Sequence, residues 1–155
     1  MSKIVLVFAS MSGNTEDIAD LITGKLRSNG FVVDQEEMEE YDPANLSEYD
    51  GIIIGSYTWG DGDLPYEADD FYAAMDDVDL TGKQAAVFGS GDTVYPEFCE
   101  AVHTFEKKLV ERGAALITEG LKIEFTPDTE EDFQACDRFV EEFIKKTKIH
   151  PSFSS

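Results

Sequence analysis

Ile4-Val5-Leu6-Val7-Phe8-Ala9, followed at once by Ser10-Met11-Ser12-Gly13-Asn14-Thr15, decides how this chain folds. The first six residues, led in by Lys3, form an apolar run with no polar alternation. A strand reads this way when both of its faces are buried, as in a parallel sheet. Just beyond, Ile18, Leu21, Ile22 and Leu26 recur at helical spacing, with Glu16 and Asp17 in the first turn. The hexapeptide between them is therefore a strand-to-helix turn, offering the helix's first N–H groups and the hydroxyls of Ser10, Ser12 and Thr15. Free N–H groups and a helix dipole favour an anion. The turn holds no Lys or Arg and matches neither G-x-x-x-x-G-K-[ST] nor G-x-G-x-x-G. A nucleoside triphosphate or a pyrophosphate is disfavoured, and a phosphate monoester held by neutral donors fits better. Hydroxyl-rich turns also serve merely as helix caps, so this one takes its meaning from the loops further on.

The chain has 155 residues, enough for one domain that buries roughly 70% of its unfolded surface. No apolar run approaches the ~20 residues needed to span a bilayer, and the N-terminus lacks a charged-then-apolar leader. A soluble, cytoplasmic protein is expected. Cys99 and Cys136 form neither a C-x-x-C motif nor a disulfide framework, and both fall in apolar helical stripes as reduced, buried thiols. Thirty-three acids against 12 bases leave a net charge of −21, which argues against nucleic acid and anionic membranes and favours basic partners.

Strand-like and helix-like segments alternate along the chain without repeat or linker. The first helix stops near Asn29-Gly30, a left-handed stop signal. A second strand over 31–38, a polar loop over 39–49 and a short third strand over 51–55 follow. A long loop over 56–66 leads to an acidic helix reaching about residue 78, with Phe71, Ala74 and Met75 facing inward. Residues 84–89 read as the fourth strand. After the loop 90–97, a helix turns Phe98, Val102, Phe105 and Leu109 inward and ends at Gly113. The fifth strand covers 114–117, pauses at Thr118-Glu119-Gly120 and resumes over 121–125. A last helix over 129–146 carries Phe133, Cys136, Val140, Phe143 and Ile144 on one side. This alternation means an α/β fold, a doubly wound parallel sheet with helices on both faces. One domain is expected over 1–147, with 148–155 a frayed tail.

Ligands of such sheets sit beyond the carboxyl ends of the strands, where the strand order changes direction. Three loops leave that edge: the hydroxyl turn, the loop with Trp59, and the loop with Tyr95. Trp59 is the sole tryptophan and stands in a Gly/Asp-rich loop where no core needs it. Tyr95, beside Pro96, has a comparable setting. Two aromatic rings on facing loops can sandwich a planar ring system, and burying its faces is worth ~25 cal/mol per Å². A phosphate site and an aromatic slot on one edge describe a pocket for flavin mononucleotide, FMN.

Ser10-Met11-Ser12-Gly13-Asn14-Thr15 resembles the phosphate loop of the flavodoxins, and Thr58-Trp59-Gly60-Asp61 and the run from Gly89 to Cys99 look like that family's two isoalloxazine loops. Three motifs in the right order make the match specific, and it covers essentially the whole chain. It implies a five-stranded sheet of order 2-1-3-4-5, and the short pause in strand five resembles the short-chain branch. The family's phosphate loop often has Thr where Ser10 and Ser12 stand, but the hydroxyls remain.

The resemblance implies a role for each matching residue. Ser10, Met11, Ser12, Gly13, Asn14 and Thr15 would hold the phosphate, with Thr58 adding a hydroxyl. Trp59 and Tyr95 would stack on opposite faces of the ring, on loops that also include Tyr57, Phe98 and Cys99. Ser90, Gly91 and Asp92 would meet the pyrimidine edge and the flavin side chain. Gly60 could let the Gly60-Asp61 peptide flip, its carbonyl then accepting a hydrogen bond from the one-electron-reduced ring, a gain of ~0.5–1.5 kcal/mol.

The implied activity is low-potential one-electron transfer on non-covalently bound FMN by a monomer, with a ferredoxin/flavodoxin-NADP reductase as donor and other basic-surfaced redox proteins as acceptors. The cofactor does the chemistry, so no catalytic side chain and no metal set is expected. His103, on a solvated helix face, and His150, in the tail, have no visible catalytic partner. The acidic runs Glu36-Glu37, Asp69-Asp70 and Glu130-Glu131-Asp132 read as solvated faces or helix starts. A phosphorylatable receiver domain shares the architecture but needs clustered acids at the end of strand one, where Val7-Phe8-Ala9-Ser10 has none. A stand-alone FMN-dependent quinone reductase would also suit this fold and would use nicotinamide directly, which an NADPH-dependent quinone assay without added reductase separates from a carrier. Against a flavodoxin-like activator of ribonucleotide reductase, the long, acidic Trp59 loop looks more like an ordinary carrier.

Carboxylates in and beside these loops should oppose the second electron. One charge ~10 Å away at an effective dielectric of ~20 costs ~1.7 kcal/mol, or ~70 mV, before salt screening. Asp61→Asn with Asp63→Asn is expected to raise the potential of the second one-electron step by this order per charge; an unchanged potentiometric titration would contradict the electrostatic account.

Overall fold

The computed structural model describes residues 3–9, 13–57, 64–91, 100–124 and 127–149, and of residues 66 and 67 the backbone only. Strand β1 (Ile4–Ala9) leads into helix α1 (Asn14–Ser28) and strand β2 (Val33–Glu37). Two short 3₁₀ turns, Met38–Glu40 and Pro43–Glu48, occupy most of the expected polar loop. Strand β3 (Gly51–Tyr57), helix α2 (Tyr66–Ala74) with a 3₁₀ extension (Met75–Asp77), and strand β4 (Gln84–Gly91) follow. Helix α3 (Glu100–Glu111), strands β5 (Ala115–Leu116) and β6 (Leu121–Glu124), and helix α4 (Glu130–Lys146) complete the chain.

Every strand pairing is parallel, in the order β2-β1-β3-β4-β5. β6 also pairs with β4, so β5 and β6 are two pieces of the fifth strand position, separated by the pause at Thr118-Glu119-Gly120.

The unbroken apolar run of β1 has its explanation in the two layers it faces. Ile4, Leu6 and Phe8 point to the layer of α1 and α4, where Ile18, Ile22, Leu26, Phe139, Val140 and Phe143 are buried. Val5, Val7 and Ala9 point to the layer of α2 and α3, among Phe71, Met75, Val102, Phe105 and Leu109. β3 and β4 divide in the same way: Ile53, Ala86 and Phe88 to the first layer, Ile52, Ile54, Ala85 and Val87 to the second. Successive strand side chains alternate in direction, so a strand with helices on both sides must be apolar at every position.

Helix ends follow local chemistry. Gly30 takes φ 90° just after α1, as the Asn29-Gly30 signal required. Thr129 caps α4 through the Asp132 N–H while Asp132 accepts from the Thr129 N–H, a reciprocal capping box. The acidic run Glu130-Glu131-Asp132 is thus a helix start. Between helices, Lys25 reaches from α1 to Asp137 of α4 at 3.0 Å. On the other layer the buried Lys108 binds Asp76 and lies 4.4 Å over the Tyr72 ring.

The helical stripes are narrower than the sequence pattern suggests. α2 stops at Ala74, which is exposed rather than inward, and Ala68 takes the buried position instead. Phe133 is 44% exposed, because it lies in the first turn of α4 beyond the reach of the sheet, and Phe139 fills the core. Leu21 is exposed on α1 for a similar reason: Ile18, Ile22 and Leu26 already span the face that meets the sheet. Past α4 the chain stays packed for two residues beyond the expected domain end. Gln84 Oε1 accepts from Thr147 Oγ1 (2.6 Å) and Lys148 N (2.7 Å), and Ile149 is buried over Gly51. Residues 150–155 lie outside the described residues.

Gly55 pairs with Phe88 across β3 and β4, and a Cβ at Gly55 would run into the Phe88 ring. Gly55→Ala is expected to lower stability by ~1–3 kcal/mol through overpacking, measured by urea unfolding. Phe88→Leu in the Gly55→Ala background should recover part of that loss, although Phe88→Leu alone should destabilise.

Candidate functional site

The strands β1, β3 and β4 are adjacent and parallel, so their carboxyl ends fall on one edge. Ala9 registers with Ser56, Tyr57 with Ser90, and Gly91 with Glu124 on β6. The chain goes from β1 outward to β2 on one side, while β3 lies on the other. The crevice between such diverging connections opens beyond the end of β1. It is where α1 begins.

Gly13 precedes α1 with φ 88° and ψ −8°, a left-handed conformation that costs a side-chain-bearing residue free energy, and among the described residues no side chain caps the helix. The first N–H groups of a helix lack intrahelical acceptors. Here they belong to a turn that carries no cation in the sequence. Asn14 is half-buried and Thr15 is buried.

Thr15 does not stand alone. Its Oγ1 lies 2.8 Å from Ser90 Oγ, a buried contact between residues 75 positions apart. Ser90 belongs to the β4 positions that face α1, the set of Ala86 and Phe88. This hydrogen bond ties the start of α1, in the expected phosphate loop, to the root of the expected ring loop. On the opposite face of the sheet, the buried Ser56 donates from Oγ to the Tyr57 carbonyl at 2.9 Å. A Cβ on Gly89 would stand 2.8 Å from the Ser56 carbonyl oxygen and 2.6 Å from Val102 Cγ2, so β3, β4 and α3 close tightly at this point.

Of the expected site residues, the structure therefore gathers Gly13, Asn14, Thr15, Tyr57, Ser90 and Gly91 at the carboxyl edge. Ser10, Met11, Ser12, Thr58, Trp59, Gly60, Asp61, Asp92, Tyr95, Phe98 and Cys99 lie outside the described residues. The donor set on view is neutral: backbone N–H groups and hydroxyls, the chemistry suited to a phosphate monoester bound without a counter-cation.

β3 runs on through Ser56 and Tyr57, past the end expected from the sequence at residue 55. The Thr15–Ser90 bond had no signal at all, since it depends on which strand lies beneath α1.

Elsewhere, Cys136 is buried, and burial pushes its thiol up to about 11, leaving it unreactive at neutral pH. The His103 side chain is 51% exposed, with its ring nitrogens against Lys122 Nζ (2.6 Å) and Glu106 Oε1 (3.4 Å). Asp69 and Asp70 lie exposed on α2, and Glu36 and Glu37 on β2. Among the described residues no three His, Cys, Asp or Glu side chains gather as a metal site, and no helix is long and apolar enough to cross a membrane.

A family model described as Flavodoxin matches residues 6–138. The chain is 48% identical to a probable flavodoxin 1 of Bacillus subtilis, over 98% of this chain and 100% of that one. A crystal structure of oxidised flavodoxin 2 from Bacillus cereus superposes with a TM-score of 0.92 at 56% identity, covering 94% of this chain and 100% of that one. The Fusobacterium nucleatum flavodoxin solved with FMN bound shares the fold, with a TM-score of 0.85 at 16% identity over 96% and 100% of the two chains.

Gly13→Ala introduces no clash, because nothing lies within 4 Å of the added Cβ. The cost is conformational alone, ~1–2 kcal/mol for an alanine held left-handed. Urea unfolding of the ligand-free protein should show that loss, and a smaller one for Gly13→Asn.

Proposed function

This chain belongs to the flavodoxin family, and from that membership we propose that it is a low-potential one-electron carrier, moving electrons from a reductase to acceptor enzymes. FMN is its cofactor. When bound, that group supplies reversible one-electron chemistry, and the protein supplies its binding and electrostatic setting.

The observation that carries the reading is the neutral, hydroxyl-lined start of α1 at the strand-order switch, bonded through Thr15 to the end of β4. Gly13, Asn14 and Thr15 would hold the phosphate by backbone and side-chain donors. Tyr57 and Gly91 root the loops whose Trp59 and Tyr95 would cover the ring faces and exclude water. Ser90 is committed through its hydroxyl to Thr15 and stands between β3 and β6 in the sheet.

Charge does the rest. The net charge of −21 disfavours adding an electron to a group held at this surface. It also draws the protein toward basic partners, an attraction that salt weakens. A ferredoxin/flavodoxin-NADP reductase is the donor whose chemistry fits.

Mixing the FMN-loaded protein with NADPH under anaerobic conditions tests the carrier reading. Bleaching of the flavin spectrum is expected only after such a reductase is added, at a rate that falls steeply as salt is raised. Rapid reduction by NADPH alone, with quinone turnover, would make the protein a flavin enzyme instead.

A further inference from the structure

The buried Thr15–Ser90 contact carries an inference about how the phosphate is held, and it rests on the FMN reading above. Both side chains are almost wholly enclosed, Thr15 at 1% exposure and Ser90 at 2%, and their hydroxyl oxygens are 2.8 Å apart. Either hydroxyl could donate in that bond. A hydroxyl has one proton and two lone pairs, whereas a phosphate monoester at neutral pH is overwhelmingly an acceptor. If Thr15 touches the phosphate, its single proton must go there. The bond to Ser90 must then be made with the Ser90 proton.

We propose that Ser90 Oγ–H donates to Thr15 Oγ1 and thereby commits the Thr15 hydroxyl proton to the FMN phosphate, making Ser90 a positioning residue for a phosphate it does not touch. The opposite polarity points a Thr15 lone pair at a phosphate oxygen, which repels. With Ser90 donating, the two hydroxyls form a chain ending on an anion, and each bond polarises the next. Ser90 sits at the carboxyl end of β4, registered with Tyr57 and Ile123, so sheet pairing on both sides fixes its position. Thr15 lies in the first turn of α1, held by the left-handed turn at Gly13. The relay thus joins two rigid elements.

Fluorescence titrations of the full chain with FMN and with riboflavin, which lacks the phosphate, test the relay. Ser90→Ala is expected to weaken FMN binding about fivefold, the effect of one hydrogen bond, and riboflavin binding by less than about twofold. Thr15→Val should weaken FMN binding at least as much. The double variant should lose no more than Thr15→Val alone, because Ser90 acts through Thr15. Ser90→Cys, similar in size with a weak S–H donor, should fall between wild type and Ser90→Ala, and it replaces Ser90→Ala if thermal unfolding shows that variant to be unfolded. Equal losses for FMN and riboflavin would make Ser90 a support of the ring loop and overturn the proposal. Unchanged FMN affinity in the Ser90 variants, or additive losses in the double variant, would overturn it too. A wild-type chain that binds neither flavin would overturn the FMN reading itself, and the relay with it.

Discussion

The burial of β1 on both faces is the constraint from which the rest of the structure follows. Six consecutive apolar residues can leave water together only if each face of the strand has its own layer of helices. The fold meets that demand with α1 and α4 over one face and α2 and α3 over the opposite one, and it places β2 on one side of β1 and β3 on the other. The end of β1 must then lie in the middle of the sheet, at the point where the connections part. The crevice is a consequence of packing, and the buried hydroxyls of Thr15 and Ser90 beside it satisfy each other.

What the fold brings together there is chemically modest. The described part of the site contains no cation, no metal cluster and no side chain poised as an acid or base. It has a helix start, a left-handed glycine and two hydroxyls locked to each other across the layer between α1 and β4. A site of this kind can bind and orient, while the electrons belong to the bound group. On the proposed carrier reading, the net charge of −21 would govern when an electron is accepted and which surfaces come near.

Much of the fold was legible in the sequence because hydrophobic periodicity is imposed by burial. β1, α1, the Asn29-Gly30 stop and the broken fifth strand can be read off the residues for that reason. The strand order came with the family resemblance, since nothing in a local pattern says which strand pairs with which. Phe133 and Ala74 show the limit of periodicity: a helical stripe tells which residues share a face, not how far the sheet extends beneath it. The burial of Lys108 against Asp76 and Tyr72, and the docking of Thr147 and Lys148 on Gln84, depend on neighbours distant in sequence. The site divides along the same line. The expected phosphate turn is contiguous in the sequence, whereas the contact that joins Thr15 to β4 exists only once α1 lies over β4.

The central proposal is that the twice-buried β1, with β3 and β4 beside it, ends at one edge where the chain would hold a flavin nucleotide. Its most direct test is a visible spectrum of the purified, FMN-free chain after incubation with FMN and removal of small molecules by desalting. The account predicts that the flavin absorption bands stay with the protein; a colourless protein would contradict it.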